Sequence, residues 1–300
     1  MGREFRIGKL FHVTPLVDDL AAAEYFFDTV FSPVCMMRNY SPHWHRDAAI
    51  YVVRETSIEP MQCYGPREGE PASSWFRYQD RFGPRVHNVA FYVDDVAALD
   101  RRLTGAGVRT TNGGTDDSGT TFTHPKDTPG MLEFHEPLHW GARDPRFSEH
   151  FDAFAADYWG ERHPLGVQRL SHITTVVRDV EAARAFYVDV LDGVPLDAQP
   201  STFADAESAY VMVGDETVME LAHPTRASSP IASDLERVGE SVVGMTFTIR
   251  DLETASEHLA LFDAPVLAIT DRDLRLDPSK TWSCEYRFTT DVLAGDPRVG

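Results

Sequence analysis

The sequence is poor in cysteine, in positive charge and in long apolar runs. Its three cysteines, Cys35, Cys63 and Cys284, are scattered without a CxxC spacing, which argues against a disulfide framework and a cysteine-rich zinc site. Lys and Arg number 28 against 47 Asp and Glu, and the net charge of −19 would repel nucleic acid and anionic membranes. No run approaches the roughly 18 apolar residues that span a bilayer, and residues 1–9 lack the apolar core of a signal peptide. We therefore expect a cytoplasmic protein with neither nucleic-acid nor membrane partners.

A short phrase occurs four times along the chain. Each copy is a strand-like run that ends in one or two charged residues and is followed by a helix-like stretch. Repetition of this kind indicates a repeated structural unit. Three hundred residues with 42% apolar content are enough for one large or two medium domains with proper cores. The copies are Phe11 to Leu20, Asn88 to Val96, His172 to Val180 and Gly244 to Leu252.

Each copy opens a module that reads as one strand, one helix and three further strands. In the first module, Asp18 or Asp19 stands where a helix N-cap would be, and the following apolar residues repeat at helical spacing. Three strand-like runs follow, around 34–40, 48–53 and 58–64. The chain is therefore predicted to be an α+β protein of four β-α-β-β-β modules.

The modular pattern breaks after residue 137. Aromatic residues from Phe147 to Tyr158 fall at helical spacing, which predicts a bridging helix. Residues 67–84, between the first two modules, form a linker whose aromatics we expect to dock on those modules. The predicted division is a domain over 1–145, a bridge over 146–168 and a second domain over 169–300.

Several motifs resemble those of one superfamily. They are His12-(x)6-Asp19, His172-(x)6-Asp179, Met219-Glu220-Leu221, and Phe122 to Asp127 followed by Leu132-Glu133. With them the chain resembles the vicinal oxygen chelate superfamily, which includes glyoxalases, methylmalonyl-CoA epimerases, extradiol dioxygenases and fosfomycin- or bleomycin-resistance proteins. The resemblance implies that two modules roll into one cup, so that each domain is a cupped mixed β-sheet with helices outside. It also implies one divalent metal, Fe, Mn, Zn, Ni or Co, with positions left for two adjacent substrate oxygens.

In the first domain the resemblance implies that His12, Gln62 and Glu133 are metal ligands. The fourth ligand position, five residues before Val93, is Asn88 rather than His87. Because neighbours on a strand point to opposite faces, His87 should face away from the cup unless a bulge shifts it. The first domain would then lack one histidine.

The second candidate metal set is His172, Glu220 and Glu285, with Gly244 in the place of the missing histidine. Glu133 and Glu285 each precede an Asp-Pro-Arg sequence by eleven positions. Similarly, Gln62, Glu133 and Glu220 each stand four residues before a proline, so these positions are predicted to be equivalent. If modules pair across the halves, His172 and Glu220 would instead join Glu133 and Asn88, and the sequence leaves this pairing open.

Other residues are assigned by chemistry and position. Glu133, or Glu220 in the other cup, is the candidate base that removes a proton next to a metal-bound carbonyl. Asn88 and Tyr92 are candidate substrate-binding residues. His43 and His45 could share one face of an early strand and bind substrate, or lie in an exposed loop.

Three functions fit these patterns. The first is a metal-dependent lyase or isomerase acting on a small molecule that chelates the metal through adjacent oxygens. The second is an extradiol-type ring-cleaving dioxygenase, which would require two histidines and one carboxylate. The third is a metal-free small-molecule binding or resistance protein. Monomer and homodimer are both open, because paired modules within one chain remove the need for a partner without excluding one.

Overall fold

The computed structural model describes residues 4–111, 119–137 and 141–299, and it has two mixed β-sheets with helices packed against them. The strands of the first sheet are β1 (Ile7–Val17), β2 (Val34–Ser41), β3 (Arg46–Val53), β4 (Thr56–Ile58), β5 (Met61–Cys63), β6 (Arg85–Val93), β7 (Thr110–Thr111), β8 (Thr120–Thr123) and β9 (Leu132–His135). Those of the second are β10 (Val167–Val176), β11 (Val194–Pro195), β12 (Ala206–Val213), β13 (Thr217–Pro224), β14 (Ser241–Ile249), β15 (Val266–Ile269), β16 (Asp273–Leu276) and β17 (Glu285–Thr289).

The helices follow the modular plan, with one addition in each half and a helical bridge between the sheets. They are α1 (Leu20–Phe31), α2 (Ser74–Phe82), α3 (Val96–Gly105), α4 (Phe151–Ala155), α5 (Val180–Ala185), α6 (Ala232–Arg237) and α7 (Leu252–Leu261). Helices α4 and α5 continue as π-helical turns over Ala156–Arg162 and Phe186–Val190. The division of the chain into domains at 146–168 stays a prediction. Among the described residues no helix is long and apolar enough to cross a membrane.

Each sheet joins two consecutive modules through their first strands. Strand β1 pairs antiparallel with β6, and β10 pairs antiparallel with β14, so the strand orders are β2-β3-β4-β1-β6-β9-β8-β7 and β11-β12-β13-β10-β14-β17-β16-β15. Strand β5 continues beside β1 and β3. The predicted α+β fold of four modules is confirmed. The sheets pair the first module with the second and the third with the fourth, which answers the pairing question that the sequence left open.

An aspartate caps the start of the helix of every module, which is why an acidic residue follows each strand-like run. The side chains of Asp19, Asp95, Asp179 and Asp251 accept a hydrogen bond from the backbone N–H three residues later. This satisfies one of the free N–H groups of the first helical turn. The sequence prediction of Asp18 or Asp19 as a cap is therefore confirmed at Asp19.

Helix α2 was not predicted, because its segment reads as a polar linker containing Pro, Glu and Ser. Ser73 caps the helix by accepting the N–H of Phe76 at 3.1 Å. Trp75 is buried against Leu16, Met61 and other apolar residues of the first sheet. The expectation that an aromatic residue of the linker docks on the first two modules is confirmed at Trp75.

Two Asp-Pro-Arg sequences hold irregular parts of β1 and β10. The buried guanidinium of Arg146 pairs with Asp144 and donates to the carbonyls of Leu10, at 2.7 Å, and Phe11, at 3.2 Å. The register of β1 against β6 shifts between Leu10 and His12, as it does in β10 between Leu170 and His172. Because a bulge re-aims the side chains after it, these clamps fix the direction in which His12 and its counterpart point.

The two halves share one apolar core. Phe31 of α1 packs on Phe247 of β14, with ring centroids 5.3 Å apart, and Phe26 packs on Tyr286 of β17 at 5.4 Å. These residues belong to a single buried cluster that extends through both sheets. The relative position of the two sheets is thus held by packing of large aromatic side chains.

Candidate functional site

Five polar side chains meet on one face of the first sheet, and we call them the N-terminal cluster: His12, Glu59, Asn88, Glu133 and His135. Nε2 of His12 lies 3.3 Å from Oε2 of Glu133 and 3.4 Å from Oε2 of Glu59. Asn88 donates from Nδ2 to the same Glu133 oxygen at 2.6 Å, and Nε2 of His135 contacts the other, Oε1. The cluster is nearly or fully buried.

The register of three strands explains why these residues meet. Thr14 of β1 lies opposite Asn88 of β6, and His12 lies opposite Ala90. Ala90 in turn lies beside Glu133 of β9. Since alternate residues share a face of a sheet, His12, Asn88 and Glu133 point to the same side, and His135 follows Glu133 by two residues.

Burial and mutual charge decide the protonation of this cluster. Burial alone would lower the pKa of His12, but the carboxylates of Glu59 and Glu133 outweigh it and raise that pKa above its usual value. Burial alone would raise the pKa of Glu133, but His135 and His12 lower it well below its usual range. Glu133 is therefore held as an anion between two imidazoles. Nδ1 of His12 has no hydrogen-bond partner among the described residues.

Helix α2 places Trp75 in a buried group of apolar side chains of the first sheet. The guanidinium of Arg46 lies 4.5 Å from the centroid of the Trp75 ring, and Trp44 and Phe122 pack on the same ring at 5.0 and 6.1 Å. The Trp75 ring also lies 6.2 Å from the ring of His87, the residue before Asn88.

Gln62, a predicted metal ligand, is not brought into the N-terminal cluster. Its amide accepts the N–H of Leu20 and donates to the carbonyl of Asp18, both at 3.0 Å, at the start of α1. The place at His12 is taken by Glu59, which accepts a hydrogen bond from Thr14 at 3.4 Å. Pro60 separates β4 from β5, and this break shifts the side chains that follow it.

Asn88, and not His87, reaches the carboxylate of Glu133. The ring of His87 lies against Tyr78 of α2, with centroids 4.9 Å apart, and its Nδ1 is 2.7 Å from Oδ1 of Asn88. The register of β6 against β1 skips His87 between Val86 and Asn88, so the bulge that the sequence left open lies at this residue. Burial lowers the pKa of His87 to about 4.

The buried neutral His87 should make stability sensitive to acid. A histidine whose pKa is lower in the folded than in the unfolded state stabilises the fold above pH 6.5, and this contribution is lost as pH falls towards 4. The wild type is expected to lose unfolding free energy between pH 7 and pH 4. In His87→Gln this loss should be smaller, by up to about 3 kcal/mol. Urea unfolding at both pH values measures this. An equal pH dependence in the variant and the wild type would contradict the assignment.

The other predicted substrate-binding residues lie outside the cluster. Tyr92 is buried and donates from its hydroxyl to Asp144 at 3.2 Å, so it supports the Asp-Pro-Arg clamp. His43 and His45 lie in the turn between β2 and β3, where Nδ1 of His45 is 2.6 Å from the carbonyl oxygen of Gly65. The loop interpretation of these two histidines matches the structure.

In the second sheet, Glu220 is surrounded by hydrogen-bond donors, and we call this group the C-terminal cluster. Its carboxylate lies 3.4 Å from Nε2 of His172 and accepts hydrogen bonds from the Thr174 hydroxyl at 2.7 Å and the Tyr210 hydroxyl at 2.9 Å. Three further donors are the Ser201 and Ser208 hydroxyls and the backbone N–H of Thr202. Burial alone would raise the pKa of Glu220, but His172 and these donors lower it. Glu220 is fully buried and saturated by its own chain.

The third predicted ligand of the second half, Glu285, forms a bidentate ion pair with Arg275 at 2.6 and 3.0 Å. Its register also differs from that predicted. Gly244 lies opposite Thr174 as Asn88 lies opposite Thr14, but Gly244 pairs with Glu285, so the sheet position of Glu133 is occupied by Arg287.

A side chain at position 244 has no room in this arrangement. A Cβ atom there would lie 2.8 Å from the backbone oxygen and 3.1 Å from the Cβ of Glu285. A histidine could therefore not take the place of Gly244 without movement of β17. The second half lacks both the histidine and the carboxylate that the resemblance implies at this end.

Sequence reasoning missed two members of the N-terminal cluster, Glu59 and His135. A signal for each was present. His135 follows Glu133 by two residues in one strand, and alternation alone places both on one face. Glu59 precedes a proline directly, and the match between Thr14 and Thr174 in the repeated phrase would have aligned it with Glu220 instead of Gln62.

The residue types of the N-terminal cluster fit a divalent transition metal, since imidazole nitrogen and carboxylate oxygen are its usual ligands. The separations of 3.3 and 3.4 Å from His12 to two carboxylates are about those of ligand atoms sharing one tetrahedral ion. As they stand, however, no three His, Cys, Asp or Glu side chains of the described residues are arranged to hold a metal ion. Binding would require Nε2 of His135, which contacts Oε1 of Glu133, to move apart from it so that both could face the ion.

Comparisons with known proteins decide the family. The model of the glyoxalase-like domain matches residues 10–191, and that of the glyoxalase/bleomycin resistance protein/dioxygenase superfamily matches residues 169–275. The chain belongs to the vicinal oxygen chelate superfamily. An ethylmalonyl-CoA/methylmalonyl-CoA epimerase of Cereibacter sphaeroides is 31% identical over 133 residues, which are 42% of this chain and 95% of that protein.

Mammalian epimerases match this chain over a shorter stretch. The mitochondrial methylmalonyl-CoA epimerases of Bos taurus and Homo sapiens are 39% and 38% identical over 69 residues, or 23% of this chain. The chain spans 39% of the length of each.

Solved structures share the fold over nearly the whole chain. A triple mutant of 4-hydroxymandelate synthase from Streptomyces coelicolor superposes with a TM-score of 0.67 and 14% identity, covering 96% of this chain and 94% of that one. The 2,3-dioxygenase LapB from Pseudomonas sp. KL28 has a TM-score of 0.58 and 12% identity, covering 98% and 96%. At these identities the likeness concerns the fold alone.

Proposed function

We propose that residues 1–145 form the functional domain and that it is a divalent-metal enzyme of the lyase or isomerase class. Its substrate would be a small molecule with adjacent oxygens. One contrast carries the proposal: two imidazoles and two carboxylates converge in the N-terminal cluster, where Nδ1 of His12 has no partner among the described residues, whereas Glu220 of the C-terminal cluster is satisfied by donors of its own half. Unsatisfied buried polar atoms are costly and concentrate where function requires them.

The residues of the cluster divide into two roles. Glu133, kept as an anion, would hold the ion with His12 and His135 when these side chains turn towards it. The bound ion would lower the pKa of the proton next to a coordinated carbonyl. Among the described residues the carboxylate of Glu59 has polar contacts with Thr14 and His12, both at 3.4 Å, so it is held more loosely than Glu133 and would accept that proton.

Asn88 would orient the reaction without taking part in proton transfer. Its amide is fixed between Nδ1 of His87 and Oε2 of Glu133. If Glu133 held an ion, the Nδ2 group that now donates to it could donate to a substrate oxygen instead. The burial of Asn88 and Glu133 would keep water from competing for the exchanged proton.

The name of the Cereibacter relative, an epimerase, agrees with this chemistry, because epimerisation removes a proton from a carbon and returns it to the opposite face. We expect wild-type protein in deuterated water to exchange the proton next to a carbonyl in at least one 2-substituted acid or thioester, with methylmalonyl-CoA included in the panel. The exchange rate, followed by proton NMR, should fall at least a hundredfold in Glu59→Gln. Glu257→Gln, on an exposed face of α7, is the control. Unchanged exchange in Glu59→Gln would contradict the proposed base.

A ring-cleaving dioxygenase is the second candidate, and the position of His135 favours it. His12 and His135 both contact Glu133, which supplies the two histidines and one carboxylate that such chemistry requires. Oxygen uptake with catechols by the iron-loaded protein, without proton exchange on the acid panel, would support this candidate. Absence of any bound metal would instead favour the metal-free binding protein.

A further inference from the structure

A large cavity separates the two halves on the far side of His87. Its volume is about 740 Å³, within the range of small-molecule sites. Helix α2 forms one wall, residues 124–126 and Met131 a second, and residues 238–241 of the other half a third. The site therefore exists only where both halves meet.

The cavity carries an excess of positive charge in a chain whose net charge is −19. Arg77, Arg81 and Lys126 stand at its rim, against the two carboxylates Asp80 and Glu240, and Lys126 is one of only three lysines in the sequence. None of these three cations forms an ion pair with another side chain in the part of the chain that the structure describes. Glu240 accepts the N–H of Arg178 at 2.8 Å. Arg77 donates to the carbonyl of Ala72, and the guanidinium of Arg81 lies 4.9 Å from the centroid of the Phe82 ring, so these two cations are positioned at the rim without a carboxylate partner among the described residues.

The floor of the cavity is connected to the N-terminal cluster. His87 lines the cavity, and its Nδ1 lies 2.7 Å from Asn88, which donates to Glu133 at 2.6 Å. Two hydrogen bonds therefore separate the cavity from the carboxylate to which the proposed function assigns the metal. A ligand anchored at the rim would have its far end beside His87.

We propose that this cavity binds a small molecule through a multiply charged anionic group, phosphate or carboxylate, held by Arg77, Arg81 and Lys126. The proposal rests on the proposed function in one respect, since it makes this group the anchoring arm of the substrate whose reactive end lies towards Glu133. Guanidinium groups suit such anions because they present several donors in one plane.

The test uses two simple probes at low salt, because screening weakens exposed ion contacts. Calorimetric titration of the full chain with inorganic pyrophosphate and with citrate distinguishes phosphate from carboxylate. We expect saturable binding of at least one probe, weakened at least tenfold in the double variant Arg81→Gln/Lys126→Gln. The control is Arg101→Gln, an exposed arginine on α3 outside the cavity, which should bind as the wild type does.

Absence of saturable binding of both probes, or an equal weakening in Arg101→Gln, would overturn the anion site. The metal content of the double variant separates this outcome from failure of the proposed function. Wild-type metal content with lost anion binding supports the site, whereas anion binding by a protein that holds no metal would contradict the proposed function alone.

Discussion

Replacing Glu220 by alanine is expected to lower the free energy of unfolding by about 3–5 kcal/mol. The carboxylate is fully buried and is the common acceptor for Thr174, Tyr210 and the other donors of the C-terminal cluster. Its removal would leave these donors and His172 buried without their partner. Chemical denaturation at pH 7 measures the loss. Glu257→Ala is the matched control, because its side chain is exposed and should change stability by less than about 0.5 kcal/mol.

A small effect of Glu220→Ala, comparable to that of the control, would contradict a structural role for this glutamate. Glu220 would then have to be considered a functional residue, as the sequence prediction of a second metal and catalytic set proposed. Glu285 is expected to behave similarly, since its partner Arg275 would be left unpaired beside it.

Glu133→Gln is expected to abolish metal binding while leaving the fold intact. Glutamine keeps the size of the side chain and can still accept from Asn88, but it removes the negative charge that holds His12 and His135. Loss of one anionic ligand from an incomplete shell should weaken metal affinity by at least a hundredfold, beyond the ten- to hundredfold typical of supporting residues. Dialysis against graded concentrations of a chelator gives the affinity. Circular dichroism of Glu133→Gln confirms that it is folded.

The fold could be predicted because its signals are local. The four phrases gave the first strand of each module, and Asp19 with its three counterparts marked the helix starts. Helix α2 was missed because the Pro, Glu and Ser around it read as a linker, although Trp75, Tyr78 and Phe82 stand at helical spacing.

The candidate site could be predicted in part, because strand alternation fixes faces but not register. Alternation within a single strand was enough to predict that His12, Asn88 and Glu133 each face the cup. Gln62 was assigned because it stands four residues before Pro66, but Pro60 breaks the strand before it, and Glu59 is the residue that reaches His12. Glu285 was matched to Glu133 by its distance of eleven residues from an Asp-Pro-Arg sequence, but the sheet matches Arg287, which precedes Asp296 by only nine.

These corrections change the comparison of the two halves. The N-terminal cluster contains two histidines and two carboxylates, one of which lies where a glutamine was expected. The C-terminal cluster has Arg287 where the first half has Glu133, and its remaining carboxylate is saturated. The repeated modules therefore keep the same fold, while their sites differ in charge.

The central claim, that one half alone holds a divalent metal, is tested most directly by the metal content of three proteins. Elemental analysis by mass spectrometry after loading and dialysis is expected to give about one divalent ion per chain in the wild type and in Glu220→Gln, and almost none in Glu133→Gln. Loss of the metal in Glu220→Gln with retention in Glu133→Gln would contradict the account, as would a wild-type protein that binds no metal at all.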